Sequence, residues 1–315
     1  MGIFDKRVNY KPFEYLEIIQ FTNTMHKSFW THDEVDFTAD IQDYKTKLDN
    51  LKREVHKRSI LSIAQTEVTV KGFWGDLYKY FPKPEFNGLG STFAHNEFIH
   101  SEAYSQILTV NGYEDDFIKA LENPIFKKYQ DLASFIMKDE DSTIIDKLLF
   151  FTLVIEDSSL FSKFANVLSF THFEGLMKNT SNIISWTSLD EINHSNAGIW
   201  ILNKIREEGH QMPSQEWINS KVEMYINNES EMLDWIFEKG ELPYYTKSEL
   251  LDYMKFRLDA SIEKIGYNKV FNVEMPKKLM WFEEEVFSNA LDDFFAKRPV
   301  EYTKHDKSIT ENDLF

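Results

Sequence analysis

Cysteine is absent from all 315 residues. That excludes a disulfide, a zinc–thiolate site, an iron–sulfur cluster and a cysteine nucleophile. Redox chemistry in such a chain falls to a metal held by oxygen and nitrogen ligands, an aromatic radical, a bound cofactor or a partner's thiols. Glycine (11) and proline (8) each stand at about half their usual share. Their scarcity argues against a turn-rich β-sandwich and a glycine-looped nucleotide fold. Positive charge is short as well: 35 Lys and Arg face 52 Asp and Glu, a net −17. A surface of that sign repels phosphate backbones, so direct nucleic-acid binding is not expected. Long apolar runs are missing. The longest, Leu148 to Ile155, falls far short of a membrane span. The start, MGIFDK, has no secretory core, and Lys6 breaks the myristoylation pattern. A cytoplasmic protein without a membrane segment is the expectation.

What is present points to helices. Hydrophobic residues make up 42% of the chain, enough for a sizeable core. No proline interrupts the stretches between Pro12 and Pro82 or between Pro124 and Pro213. Apolar periodicity predicts four strong helices, through 46–80, 91–110, 143–171 and 188–207. The third is apolar nearly all round and should be central. FPKPEFNGLG (81–90), the surroundings of Asn123-Pro124, and Gly209 to Pro213 read as loops. No linker divides the chain, so residues 1–298 read as one domain. Residues 299–315 read as a flexible polar tail ending in Leu314-Phe315.

Two of the four helices carry Glu-x-x-His: Glu97 with His100, and Glu191 with His194. That spacing sets both side chains on one face, one turn apart. Each pair is preceded by a helix with a carboxylate on its apolar stripe. Glu67 lies among Ile60, Ala64, Lys71 and Trp74; Glu156 lies among Leu149, Leu153, Leu160 and Phe164. Asp157 also sits on an apolar face, so periodicity alone leaves Glu156 and Asp157 open. The order, Glu67 then Glu97/His100, and Glu156 then Glu191/His194, is a degenerate two-fold repeat. Four inward carboxylates and two imidazoles suit two divalent cations inside a four-helix bundle, and the formal charges balance. Oxygen-rich ligation with one His per metal favours Fe or Mn over Zn or Cu. A third copy, Glu207-Glu-Gly-His210, is flanked by Arg206 and Gly209 and stops at Pro213, so it reads as a helix terminus. The bland alternative to the metal site is a pair of satisfied core histidines beside salt bridges.

The chain resembles the small (beta) subunit of class I ribonucleotide reductase over nearly its whole length. The most specific stretches are FWTHDEVDF (29–37), NEFIHSEAYS (96–105), LDEINHS (189–195) and DDFFAKRPVEY (292–302). The resemblance implies an all-α, ferritin-like helical bundle, a homodimer, and a dinuclear centre of two Mn or two Fe ions. Its ligands would be Glu67, Glu97, His100, Glu156, Glu191 and His194; the family's Glu followed eight residues later by Phe selects Glu156, with Phe164. It implies that Tyr104 is the tyrosine many small subunits oxidise to a stored radical. Trp30, Asp190 and His100 would begin the electron path, and Tyr302 would relay the electron to the catalytic large (alpha) subunit. The tail tip, ITENDLF, resembles the family's docking peptide for that subunit. The implied activity is radical initiation for ribonucleoside-diphosphate reduction, with the thiols on the partner. A chain without cysteine fits that division of labour.

Two features depart from the commonest family pattern. The first ligand is Glu67 where Asp is frequent. Lys71 lies one turn from it, on the ligand stripe. It reads either as the partner of a nearby carboxylate or as a cation steering an anionic oxidant such as superoxide to the metals. The second reading resembles the subgroup that uses a dimanganese centre and leaves the tyrosine reduced. The rival functions are a stand-alone dimetal oxidase and a metal-storage bundle. The first would have no use for Tyr302 or the docking tip, and the second does not explain Trp30 with Asp190.

Overall fold

The structure, a computed structural model, describes residues 2–294, without the side chains of 68–71, 133–138 and 288–294. Among the described residues it contains helices and no strand. The long ones are α3 (Asn50–Gly75), α5 (Pro84–Asn111), α10 (Lys178–Glu207), α11 (Gln215–Ile236) and α12 (Lys247–Lys264). Shorter ones are α1 (Leu16–Lys27), α2 (Thr38–Thr46), α4 (Leu77–Tyr80), α6 (Glu114–Leu121), α7 (Pro124–Lys138) and α13 (Met280–Phe294). Between α7 and α10 lie α8 (Ile144–Phe150), a π-helical segment (Phe151–Ser159) and α9 (Phe161–Glu174).

Local chemistry sets the ends. Asp49 caps α3 by accepting from the Lys52 amide at 2.9 Å. Thr143 and Asp146 form a capping box on α8, and Thr246 and Glu249 form one on α12. Gly112 and Gly175 end α5 and α9 at φ of 70° and 69°, where a side chain would be strained. The reading of 81–90 as a loop is corrected: α5 already begins at Pro84. Proline at the first helical position costs no hydrogen bond there, and its fixed φ suits a helix start. The helix read as 46–80 is three pieces, the end of α2, then α3 and α4. The helix read from 188 begins ten residues earlier, at Lys178.

The core is a bundle of α3, α5, α10 and the α8–π–α9 run, with α1 against α5 and α10, α12 against the π segment and α9, and α11 against α12, α7, α3 and the π segment. The third predicted helix is central, as its all-round apolarity suggested: every residue from 148 to 170 is buried. It is not one α-helix, however, because residues 151–159 wind as a π-helix. Two glycines let neighbours approach closely. A Cβ on Gly90 would lie 2.5 Å from the Trp74 carbonyl oxygen, and one on Gly198 would lie 2.2 Å from Thr152 Oγ1. No described helix is long and apolar enough to cross a membrane.

Candidate metal centre

Glu67 projects from α3, Glu97 and His100 from α5, Glu156 from the π segment, and Glu191 and His194 from α10. All six are at most 2% exposed. They form two overlapping donor sets. Glu67, Glu97, His100 and Glu191 make one; Glu97, Glu156, Glu191 and His194 make the other, and within each set the ligand atoms lie within 4.8 Å of one another. His100 Nδ1 lies 3.2 Å from Glu191, 3.6 Å from Glu97 and 3.9 Å from Glu67. His194 Nδ1 lies 3.1 Å from Glu97, 3.3 Å from Glu156 and 3.4 Å from Glu191. Glu97 and Glu191 therefore stand between the two imidazoles, where a carboxylate can serve two cations.

The donor chemistry fits a pair of divalent ions. Both oxygens of Glu67 and of Glu97, one oxygen of Glu191, and Nδ1 of His100 are buried with no hydrogen-bond partner among the described residues. Orphaned acceptors on that scale are costly unless a cation completes them. The donor set by itself gathers protons. Burial, reinforced by neighbouring carboxylates, pushes Glu67 and Glu156 well above the usual carboxylate range. Burial disfavours both imidazolium forms, but the surrounding carboxylates outweigh it and hold His100 and His194 well above the ordinary histidine value. Burial works against the charged forms of Glu97 and Glu191 too, but the nearby imidazoles, and for Glu191 the neighbouring Glu156 carboxyl first, outweigh it and hold these two carboxyls low. Positive charge is what this pocket lacks.

A second layer aims the ligands. Asp190 Oδ2 accepts from Trp30 Nε1 at 2.8 Å and from Asn96 Nδ2 at 2.9 Å, and lies 3.0 Å from His100 Nε2. A carboxylate only accepts, so His100 Nε2 carries a proton and donates to Asp190, which leaves Nδ1 as the ring nitrogen that faces the carboxylate cluster. The Trp30 ring also stacks on His100, with centroids 5.8 Å apart. Trp74 donates from Nε1 to Glu156 Oε1 at 2.7 Å. Sequence reasoning placed Trp74 on the stripe but not this bond, and it missed Asn96; nothing in spacing announces either. Asp157, left open beside Glu156, turns away from the cluster to Arg257, Ser261 and Ser195. Tyr104 is 1% exposed and its hydroxyl has no hydrogen-bond partner among the described residues. Burial first, then the charge of Glu67, raises its pKa well above the ordinary tyrosine value, while His100 and, less, Thr187 act the other way. The Lys71 side chain, Tyr302 and the tail lie outside the described residues.

The family model for the ribonucleotide reductase small chain matches residues 7–278. The chain belongs to the ribonucleotide reductase small-chain family. Membership makes it the radical-initiating (beta) subunit of a ribonucleoside-diphosphate reductase. Among its curated relatives, a probable ribonucleoside-diphosphate reductase small subunit of Invertebrate iridescent virus 6 is 26% identical, spanning 96% of this chain and 95% of the relative. The R2 subunit from Clostridium botulinum shares the fold at a TM-score of 0.80 and 17% identity, over 91% of this chain and 94% of that one. The dimanganese(II)-NrdF of Streptococcus sanguinis shares it at 0.74 and 16%, over 90% and 100%. At those identities the structures show the ferritin-like helical fold alone.

Proposed function

We propose that Glu67, Glu97, His100, Glu156, Glu191 and His194 would hold two manganese or two iron ions, Glu97 and Glu191 belonging to both donor sets. The observation that carries this is the pair of donor sets overlapping in those two carboxylates. With two such ions bound and an oxidant such as dioxygen or a reduced oxygen species, these residues would hold a centre able to supply the one-electron oxidising equivalent that the reductase needs. The dimanganese(II) form of the Streptococcus sanguinis neighbour supports manganese as one of the two choices.

The chain's own residues do the rest. Four carboxylates offset the charge of the ions, and the apolar α8–π–α9 run keeps water out. The bonds from His100 to Asp190 and from Asp190 to Trp30 give an electron a contiguous route, with Asp190 holding both donors in register. Tyr104, one turn past His100, is placed to store the equivalent or to stay reduced beside it. Lys71, one turn from Glu67, pairs with a carboxylate or draws an anionic oxidant inward. Tyr302 carries the electron onward in the tail, and Leu314 and Phe315 anchor residues 299–315 in the large subunit. The active form is a homodimer in the cytoplasm, with residues 1–298 as its single domain. A stand-alone oxidase or a storage bundle would have no use for the Trp30–Asp190–His100 series.

The test mixes the metal-loaded protein with a cognate large subunit and measures deoxynucleotide formation, with and without residues 300–315. Activity is expected only with the tail. Undiminished activity without it overturns the docking role, and fewer than two ions per chain in the active protein overturns the dinuclear centre.

A further inference from the structure

The main chain of the π segment is gripped from outside. Arg257 on α12 donates from Nε to the Asp157 carbonyl at 2.9 Å and from Nη2 to Asp157 Oδ1 at 3.1 Å. Ser261, one turn on, donates to Asp157 Oδ2 at 2.8 Å, and Ser195 on α10 donates to Oδ1 at 3.3 Å. Lys163 on α9 donates to the Ser159 carbonyl at 2.7 Å and to both Glu229 oxygens, at 2.6 and 2.5 Å. Ser159 Oγ donates to the Ile155 carbonyl at 2.8 Å. Alternate carbonyls at 155, 157 and 159 thus each accept from a side chain. The contacts at 155 and 159 come from side chains four residues on, as on ordinary helices; the one at 157 comes from a separate helix, α12.

Arg257 is the most constrained of these donors. It is 4% exposed, and its guanidinium lies 3.6 Å from the centre of the Phe161 ring. Its remaining arm faces Tyr253 at 3.4 Å and Glu283 at 3.7 Å. Burying a guanidinium merely to fill space is unfavourable against an apolar residue of the same size, so its value lies in what it specifies. What it specifies is the winding at Asp157, the residue next to Glu156. The donor set on the His100 side contains no residue of the π segment; the set on the His194 side contains Glu156.

We propose that Arg257 is a positioning residue for Glu156: its grip on the Asp157 carbonyl and carboxylate fixes the π winding that brings Glu156 to His194. Binding of an ion on the His194 side then depends on Arg257, and binding on the His100 side does not. The inference rests on the dinuclear reading above.

The test titrates manganese(II) into metal-free, full-length wild type, Arg257→Met and Arg257→Lys, following stoichiometry and the electron paramagnetic resonance spectrum. Wild type takes two ions per chain and gives an exchange-coupled signal. In Arg257→Met the first ion binds as in wild type and the second binds about 10–100-fold more weakly. The spectrum at one ion per chain is then the six-line pattern of an isolated ion. Arg257→Lys falls between, because one ammonium cannot meet the carbonyl and the carboxylate with a planar fork. Two wild-type affinities with a coupled signal in Arg257→Met overturn the proposal, as does equal weakening of both ions. Should Arg257→Met not fold, Arg257→Lys carries the test, and its identity with wild type overturns the proposal. Wild type that never takes two ions refutes the dinuclear reading itself, an outcome distinct from the others.

Discussion

Single atoms decide the behaviour of the centre. The Trp74 indole N–H donates to Glu156 Oε1 at 2.7 Å. Trp74→Phe keeps the ring's packing on Phe93 and Phe151 but strands that oxygen. We expect the variant to fold, to lose about 1–3 kcal/mol, and to bind the ion on the His194 side roughly 10-fold more weakly; denaturant unfolding and metal titration check the two parts. His56, about three turns before Glu67 on α3, offers a pH prediction. It is fully buried against Phe170 and Tyr44, neither ring nitrogen has a hydrogen-bond partner among the described residues, and burial lowers its pKa to about 4. Its folded value lies below its unfolded one, so the folded state keeps it neutral while the unfolded state takes up a proton. Its contribution is therefore full above about pH 6.5 and is lost as pH falls toward 4, a penalty on the order of 3 kcal/mol. His56→Leu should flatten the stability profile across that window and leave it unchanged above pH 7, read as the difference in unfolding free energy between the two proteins. Neither feature was visible in the chain's lettering. Trp74 looked like one more apolar member of the Glu67 stripe, and His56 matched no ligand spacing, because a hydrogen-bond target is a property of the packed neighbours.

At the scale of elements, the Glu-x-x-His pairs were the easiest to read, since a spacing of three means the same thing on any regular helix. Glu156 was harder for a physical reason. The π segment inserts an extra residue per turn, so the 3.6-residue rule loses its phase between 151 and 159, and Glu156 and Asp157 look equally inward. The packing separates them: Glu156 meets Trp74 and His194, and Asp157 meets Arg257. The Pro84 start of α5 was misread because two prolines and two glycines in ten residues resemble a loop, although proline is well suited to a first helical turn. The same interface yields a prediction. Gly198 on α10 faces Thr152 on the π segment so closely that an alanine Cβ would lie 2.2 Å from Oγ1 and 3.0 Å from Cβ of Thr152. Turning the threonine side chain relieves the first contact but not the second, so backbone must move. Gly198→Ala should cost about 1–3 kcal/mol and push Glu156 away from Glu191 and His194. The check is thermal unfolding beside the ion count per chain, with loss of the second ion expected before loss of the fold.

Across the whole molecule, the N-terminal residues act as a strap between the far ends of the two Glu-x-x-His helices. Glu208, just past α10, accepts from the Ile3 amide at 2.6 Å and from the Tyr15 hydroxyl at 2.7 Å. At the start of α5, Glu85 binds Arg7, and Lys83 donates to Glu14 at 2.7 Å. Arg7, Lys83 and Glu85 are at most 3% exposed, so these are buried charges whose cost is met only while the strap is in place. None of this was read from the sequence, where the segment before α1 shows no periodicity and its partners lie some 70 to 200 residues away. Arg7→Met would leave Glu85 buried beside apolar surface, and breaking such a pair costs about 3–5 kcal/mol. Arg7→Met with Glu85→Gln removes the charge together with its partner, and should recover much of that loss. The double-mutant cycle in denaturant unfolding measures the coupling directly. A strap that only filled space would give additive losses. One that holds α5 and α10 in register would also lower the affinity for the second metal in Arg7→Met and restore it in the double variant, because Glu97 and Glu191 must stay within reach of both imidazoles.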